Sequence, residues 1–390
     1  MQRRIVFHVP SLRGGGAERV FVLMANEMAR RGHEVTLFTW NGEGPNAALR
    51  SDTVHFVDLG MRIHGEGFGK PATIAGLWRS AGFYRRTRPD AVFSGPEFAN
   101  LITALALNLS LSKAKFFPSF HASASIPSND FGSRVAVVLS SLVAARARKA
   151  IAVSAGVGRD IAARGVAADR IAVINNPLPP GRHLVPPGRH LVPPGPHLVP
   201  PATGRPGATY PWQAELAALG DGPVIATAGR LVGVKDHKTL LRAFAALLKT
   251  RPARLVLFGE GPLLGELEAE SRVLGIASRV LFPGYVNEPA ACYAAADLFV
   301  LSSTSEGFGN VLIEAMAAGV PVVSTDAPHG PREILADGRY GALTPVGDAN
   351  ALAGAMAAML DQPTDVALLR GRAADYTVER IGDQYEALLR

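Results

Sequence analysis

The sequence predicts an α/β protein built from two doubly wound domains. Three observations carry that expectation. Short apolar runs alternate with amphipathic stretches along both halves of the chain, which is the rhythm of βαβ units. Glycine-containing turns separate the two kinds of segment, as at strand-to-helix junctions of parallel sheets. The rhythm breaks once, in a proline-rich segment near the middle. A chain of 390 residues is also long for a single hydrophobic core.

The first half opens as βαβ. Residues 5–10 read as a strand and 11–19 as a turn-rich loop. Residues 20–31 read as a helix with Val20, Phe21, Leu23, Met24 and Met28 apolar and Gly32 closing it. Residues 34–39 are the next strand. Gly14, Gly15 and Gly16 sit at the first junction, where bare backbone can approach a ligand at a helix start. The G-x-G-x-x-G spacing is missing. The second strand ends in Thr39-Trp40 and offers no acid for a ribose, which weighs against an NAD enzyme. Residues 54–59 are a third strand. Residues 71–86 then read as an amphipathic helix, with Ile74, Leu77, Trp78, Ala81 and Tyr84 on one side and Arg79, Arg85 and Arg86 adding charge. Such a helix is either core-packed with a solvated basic face or interfacial. Residues 90–94 and 114–120 are strands. His121 follows the second at its carboxyl end, where the ligand crevice of an open α/β sheet lies. A Ser/Pro-rich loop at 122–130, a helix at 134–148 and strands at 150–153 and 170–174 complete this half.

Composition then changes abruptly. Pro-Pro-Gly-Arg-His-Leu-Val at 179–185 recurs at 186–192 and, with one change, at 193–199. A seven-residue repeat with two prolines and a glycine has no core of its own and reads as a semi-rigid linker. His183, His190 and His197 recur as repeat copies and need no metal to explain them. Residues 176–220 are therefore the expected linker, between a domain at 1–175 and one at 221–375. The α/β rhythm restarts with strand 223–228, the loop G-R-L-V-G-V-K at 229–235 and helix 239–248. Strands at 254–258, 279–282, 296–301 and 321–324 follow, with helices at 263–274, 288–296 and 311–318. Residues 378–389 form a last amphipathic helix with Ile381, Tyr385, Leu388 and Leu389 apolar. A cleft between the domains, lined by strand-end loops, is the expected ligand site.

The most informative stretch is S-T-S-E-G-F-G-N-V-L-I-E at 303–314, lying between a buried-looking strand and a helix that ends at Gly319. The free amides and positive dipole end of such a helix suit phosphate. Glu306 and Glu314 frame the loop. Carboxylates repel phosphate, so the pair suits hydroxyl groups nearby. The combination suggests a ligand with both phosphate and polyol parts, such as a nucleotide sugar.

Composition sets further bounds. The formal charge is +7, and residues 1–150 carry 19 Lys and Arg against 10 Asp and Glu, whereas the remaining 240 carry 21 against 23. The positive excess lies in the first half and favours an anionic partner there, a membrane surface or lipid phosphate. No interleaving of basic and stacking aromatic residues marks a nucleic-acid surface. A single cysteine, Cys292, excludes a disulfide framework or Cys-based metal site within the chain and reads as a small buried residue. The start is too short for a signal h-region, and no apolar run approaches a membrane span, so a cytoplasmic protein is expected.

With these pieces in place the chain resembles glycosyltransferase family 4, retaining enzymes of the GT-B fold with two Rossmann-like domains. The resemblance rests on G-G-G-A-E-R-V at 14–20, G-R-L-x-x-x-K at 229–235, F-G-E-G-P at 258–262 and S-E-G-F-G-N-V-L-I-E at 305–314, in that order. The last is the family's E-x7-E element. The G-G-A-E-R form is similar to that of the bacterial subset building surface polysaccharides and lipid-linked glycans. The resemblance implies a metal-independent transfer from a nucleotide-diphosphate sugar, with no cofactor beyond that co-substrate. The acceptor would be a glycan or carried on polyprenyl diphosphate, on the inner face of the cell membrane.

Roles follow from the same resemblance. Arg230 and Lys235 would hold the donor diphosphate and stabilise its departing charge. Glu306 would contact the donor sugar, and Glu314 the ribose hydroxyls. The amides of Gly307, Phe308, Gly309, Asn310, Val311 and Leu312 would cap phosphate and sugar. The base would lie near Glu260 and Gly261 and near 284–286. Gly15 and Gly16 would close over the diphosphate, and His121 would approach the transferred sugar. Residues 376–390 would cross back to the first domain. No D-x-D motif is present. A sugar-nucleotide epimerase of similar fold would instead need acid–base carboxylates and no acceptor. A non-catalytic sugar-nucleotide sensor would tolerate loss of Arg230 or Lys235.

Overall fold

A computed structural model describes residues 1–13, 15–63, 68–121, 140–179, 210–286 and 289–390. Gly14, the loop at 122–130, the start of the 134–148 helix and the heptad-like repeats with their histidines lie outside the described residues. The chain divides into two units, Met1–Pro177 with Thr377–Arg390, and Leu178–Tyr376.

Among the described residues the first unit holds seven parallel strands. They are β1 (Arg4–Ser11), β2 (Glu34–Asn41), β3 (His55–Asp58), β4 (Ala91–Ser94), β5 (Lys115–Phe120), β6 (Ala150–Ala152) and β7 (Ile171–Val173). Their order is β3-β2-β1-β4-β5-β6-β7. Central strands are covered by helices on both faces, so they read as continuous apolar runs and do not alternate. Phe7, Phe93 and Phe117 stack in register across β1, β4 and β5, with ring centroids 5.0 and 4.9 Å apart. His8 is buried on the other side of β1. Its Nδ1 lies 2.7 Å from Thr103 Oγ1 and 2.9 Å from the Tyr84 hydroxyl, and burial lowers its pKa to about 3.

Among its described residues the second unit holds six parallel strands, β8 (Val224–Ala228), β9 (Arg254–Phe258), β10 (Val280–Gly284), β11 (Leu298–Leu301), β12 (Val322–Thr325) and β13 (Ala342–Thr344). Their order is β10-β9-β8-β11-β12-β13. In both sheets the chain first winds one way and then reverses. The reversal falls between β1 and β4 in the first sheet and between β8 and β11 in the second. Such a switch point splays the following loops apart and leaves a crevice at the carboxyl ends of the strands.

Two expectations need correcting in detail. Part of the expected linker is not a linker, because Pro211–Ala218 is a helix whose Trp212 is buried edge-on against Phe258, 5.0 Å between centroids. Its large aromatic finds a partner at the end of β9, which a proline-rich composition does not reveal. The helix Lys70–Thr87 also faces differently from the apolar stripe read in the sequence. Gly76, Ser80, Ala81, Phe83 and Tyr84 are buried, whereas Ile74 and Trp78 are 60% and 62% exposed. Small Gly76 and Ser80 are what the buried Trp40 ring can pack beneath. A Cβ on Gly76 would meet that ring at 2.6 Å, and Trp40 Nε1 donates to Ser80 Oγ at 3.0 Å.

Candidate active site

The loops after β8 and β11 flank the reversal in the second sheet, and they carry the residues singled out in the sequence. After β8 the chain runs through Gly229 and Arg230 to a tight turn, Gly233–Lys235, then to the helix His237–Leu247. Asp236 takes a left-handed conformation to start that helix, and its carboxylate accepts from the Thr239 hydroxyl at 2.7 Å. After β11 the chain runs through residues 302–309 to the helix Asn310–Ala318, entered through Gly309 at φ 102°. Main-chain strain at that φ falls to glycine because it lacks a Cβ.

The two loops are fastened together. Thr304 N donates to Val234 O at 2.8 Å, and Ser302 Oγ donates to Lys235 O at 2.9 Å. Thr325 Oγ1, at the end of β12, donates to Ser303 O at 2.6 Å. These ties bring Lys235 and Glu306, 71 positions apart, into contact across the switch point. Lys235 Nζ donates to Glu306 Oε1 at 2.5 Å, and Ser303 Oγ donates to the same oxygen at 2.6 Å. Both side chains are largely buried, at 21% and 11% exposure. Glu306 Oε2 takes no hydrogen bond among the described residues. An ammonium has three donors, so Lys235 can hold Glu306 and still offer N–H groups to a phosphate oxygen.

The loop after β9 stacks on the loop after β8. Leu231 N donates to Glu260 O at 2.8 Å, and Gly229 N donates to Phe258 O at 2.9 Å. Gly259 is required here. At φ 135° its absent Cβ would stand 1.9 Å from Gly229 O, and one on Gly261 would stand 2.4 Å from Leu231 O. The G-R-L and G-E-G motifs are thus halves of one close main-chain contact. Arg230 projects outward, exposed, and forms no ion pair among the described residues. Behind it His237 is buried, and its pKa is lowered to about 4 by burial first and then by the Lys235 charge.

Glu314 lies one turn inside the Asn310–Ala318 helix and is 3% exposed. The Tyr293 hydroxyl donates to its Oε2 at 2.8 Å. A buried carboxylate is costly unless hydrogen-bonded, and Tyr293 meets part of that demand. Burial, followed by the Glu314 charge, pushes the neighbouring Cys292 thiol far up, which makes it the inert small residue expected. In the entry loop, Phe308 is buried with its ring 5.5 Å from Tyr376. A Cβ on Gly330 would lie 1.7 Å from Phe308 O, so the chain after β12 presses directly on the 307–309 turn. Asn310, Val311 and Leu312 form the first turn of the helix.

In the first unit, Gly15 precedes the helix Gly16–Arg30 and Gly16 opens it. Asn46 Nδ2 donates to Arg13 O and, at 3.1 Å, to Gly15 O, which fixes that junction. His121 follows β5 with Nε2 2.9 Å from Ser119 Oγ and its ring 5.7 Å from that of Phe21. Burial lowers its pKa to about 4, so it is neutral near pH 7 and serves as a hydrogen-bonding group. Tyr293, Ser303 and Asn46 were not read from the sequence. Only Ser303 carried a local signal, the Ser-x-x-Glu spacing with Glu306.

Comparison with known proteins finds relatives of both units. A family model described as Glycosyltransferase Family 4 matches residues 14–182, and one described as Glycosyl transferases group 1 matches residues 222–362. The chain is 39% identical over 137 residues to the N-acetylgalactosamine-N,N'-diacetylbacillosaminyl-diphospho-undecaprenol 4-alpha-N-acetylgalactosaminyltransferase of Campylobacter jejuni, covering 35% of this chain and 37% of that one. It is 38% identical over 144 residues to the lipopolysaccharide core biosynthesis glycosyltransferase LpsE of Rhizobium meliloti, covering 37% and 41%. Each match therefore spans well under half of the relative. Among solved structures, Anabaena HepE in complex with UDP-glucose superposes with a TM-score of 0.76 at 22% identity, over 99% of both chains. The apo form of the lipopolysaccharide outer core galactosyltransferase WaaB gives 0.69 at 20% identity, over 99% of this chain and 98% of that one. These likenesses establish the GT-B fold. The two family models together take in most of the sequence, and the chain belongs to glycosyltransferase family 4.

Proposed function

We propose that the protein is a retaining glycosyltransferase that moves a sugar from a nucleotide-diphosphate donor to a glycan or lipid-linked acceptor in cell-surface polysaccharide biosynthesis. The observation that carries this reading is the Lys235–Glu306 contact at the switch point, with Glu306 Oε2 left for a ligand hydroxyl. Lys235 and exposed Arg230 supply positive charge where the diphosphate would depart, and the amides of 307–311 supply donors beside it, whereas that of Leu312 donates to Gly309 O at 2.9 Å. Glu306 meets the donor sugar and Glu314 the ribose. Residues 259–262 and 284–286 face the base. The names of curated relatives, one acting on a diphospho-undecaprenol-linked glycan and one in lipopolysaccharide core synthesis, support the acceptor class.

In the transfer, the bond between the anomeric carbon and the phosphate oxygen breaks as one from the acceptor oxygen forms on the same face. The acceptor proton passes to a leaving phosphate oxygen. The protein's cations meet the developing charge, so no metal is required. His121, neutral, hydrogen-bonds near the transferred sugar. The protein works on the inner, cytoplasmic surface of the membrane, with its basic first half toward anionic lipid.

The test is a donor screen. Purified protein is incubated with a panel of nucleotide sugars in EDTA, and nucleoside diphosphate release is followed with and without acceptor. Glu314→Ala should weaken donor binding by about tenfold or more, the loss of a charged hydrogen-bond acceptor. Unchanged donor affinity in that variant would refute the site assignment.

A further inference from the structure

The outward face of the Lys70–Thr87 helix is unusual. Ile74 and Trp78, one turn apart, are 60% and 62% exposed. A lone exposed apolar residue needs no explanation, but a tryptophan and an isoleucine adjacent on one face do. Pro71 and Ala75 extend that face and are also exposed. Two turns beyond Trp78 on the same side comes Arg85, with Arg79 and Arg86 beside it, all exposed. The helix contains no acidic residue. None of Arg79, Arg85 and Arg86 forms an ion pair among the described residues. The large apolar groups therefore lie toward the amino half of one solvent-facing side and the arginines toward the carboxyl half, with exposed Lys70 at the start of the helix.

The position of this face in the first unit gives it a direction. Trp40, at the carboxyl end of β2, packs under Gly76 and bonds to Ser80. The apolar half of the helix thus lies at the carboxyl edge of the sheet. His121 follows β5 at that same edge. The opposite stripe is filled by Ser80, Phe83 and Tyr84 packing into the unit, so the outward face is not needed for the core. No described helix is long and apolar enough to cross a membrane.

We propose that this face is a lipid-docking surface. Ile74 and Trp78 enter the headgroup region of an anionic bilayer, and Arg79, Arg85 and Arg86 meet lipid phosphates. Cationic side chains flanking tryptophan match a negatively charged interface, and an acid-free helix excludes repulsion from it. The proposal rests on the reading that the basic half meets an anionic surface, and it names where. It places the membrane at the edge from which a lipid-linked acceptor would have to be presented.

The chain has three tryptophans, and Trp40 and Trp212 are buried, at 1% and 6% exposure. Fluorescence changes on binding therefore report Trp78. Full-length protein is sedimented with vesicles of phosphatidylcholine alone or with about 30% phosphatidylglycerol, a typical anionic content. Binding to the anionic vesicles only, a blue shift, and quenching by lipids brominated in their chains are expected. Binding should fall steeply as salt rises from about 0.05 to 0.5 M. Each of Arg79→Gln, Arg85→Gln and Arg86→Gln should weaken it about fivefold. Ile74→Ser should abolish the quenching while leaving the melting temperature and donor turnover in solution unchanged. If wild type and an Ile74→Ser/Arg85→Gln variant bind anionic vesicles equally, the face is wrong although the broader membrane reading stands. If anionic vesicles bind no protein at low salt, both fail. Quenching of bound protein by aqueous iodide, and not by brominated lipid, overturns insertion of Trp78.

Discussion

At the scale of single residues, the site turns on how one carboxylate is shared. Glu306 Oε1 takes both Lys235 Nζ and Ser303 Oγ, leaving Oε2 for a ligand. Lys235 therefore has two roles, orienting Glu306 and facing a diphosphate. The E-x7-E spacing and the distant lysine were legible as motifs. Their contact was not, because residues 71 positions apart meet only through the main-chain ties of Val234 and Thr304. The same holds for Tyr293, which holds Glu314 but lies in an apolar run that looks purely structural. If Lys235 acts on the leaving group, Lys235→Ala should lower kcat by about 100- to 1000-fold, as loss of one stabilising donor does elsewhere. Glu306→Gln should act more on the donor sugar and less on nucleoside diphosphate affinity. Because the two touch, the double variant should fall short of additivity by more than about 0.5 kcal/mol. Steady-state kinetics on the four proteins measures this. Strict additivity would show that the contact does not couple them.

At the scale of elements, glycine decides where loops can stack. The βα rhythm was readable because buried parallel strands are nearly all apolar and glycine marks their ends. The reason for each glycine was not, because it depends on a partner loop far along the chain. Gly259 is pressed against Gly229 O, whereas Gly265, in the helix Leu264–Val273, has open space around its missing side chain. Gly259→Ala should cost about 1–3 kcal/mol in strain and separate the two donor loops. Gly265→Ala should instead stabilise by about 0.5–1 kcal/mol through helix propensity. Urea unfolding of both variants, with donor titration of the folded proteins, tests the contrast. A neutral Gly259→Ala would mean that the loops tolerate separation. The Lys70–Thr87 helix shows the converse limit of sequence reading. Its apolar residues suggested one buried stripe, but Trp40 selected the small residues as the inner face and turned Ile74 and Trp78 outward.

At the scale of the molecule, the chain's last segment completes the first unit. The helix Val378–Leu389 buries Tyr385 against Phe93, 5.1 Å between centroids, and Arg31 anchors it. Arg31 donates to Asp383 and Glu386 at 2.7 Å each, to Glu379 O at 2.8 Å, and to buried Glu27 at 2.8 Å. The amphipathic pattern of 378–389 was plain in the sequence, whereas its arginine hub was not, since Arg31 is one of 40 basic residues and its partners in that helix lie 348 or more positions away. Burial of Glu27 opposes its ionisation, but Arg30 and Arg31 outweigh that and its pKa is lowered from 4.5. The hydrogen bond from Arg31, which outweighs slight burial, lowers that of Glu386 as well. A carboxyl group depressed in the folded state favours folding above its unfolded pKa and loses that contribution as pH falls through the folded value. Arg31→Ala should therefore cost about 2–3 kcal/mol near pH 7, since Glu27 keeps Arg30 but loses its buried partner. That corresponds to a fall of roughly 5–10 °C in the first unit's calorimetric transition. The deficit should shrink below about pH 4.5, as the carboxylates take up protons and the wild-type network dissolves. A deficit constant from pH 7 to below that range would assign Arg31 to packing of its aliphatic stem and not to charge. A shift confined to the second unit's transition would contradict the place of residues 377–390 in the first.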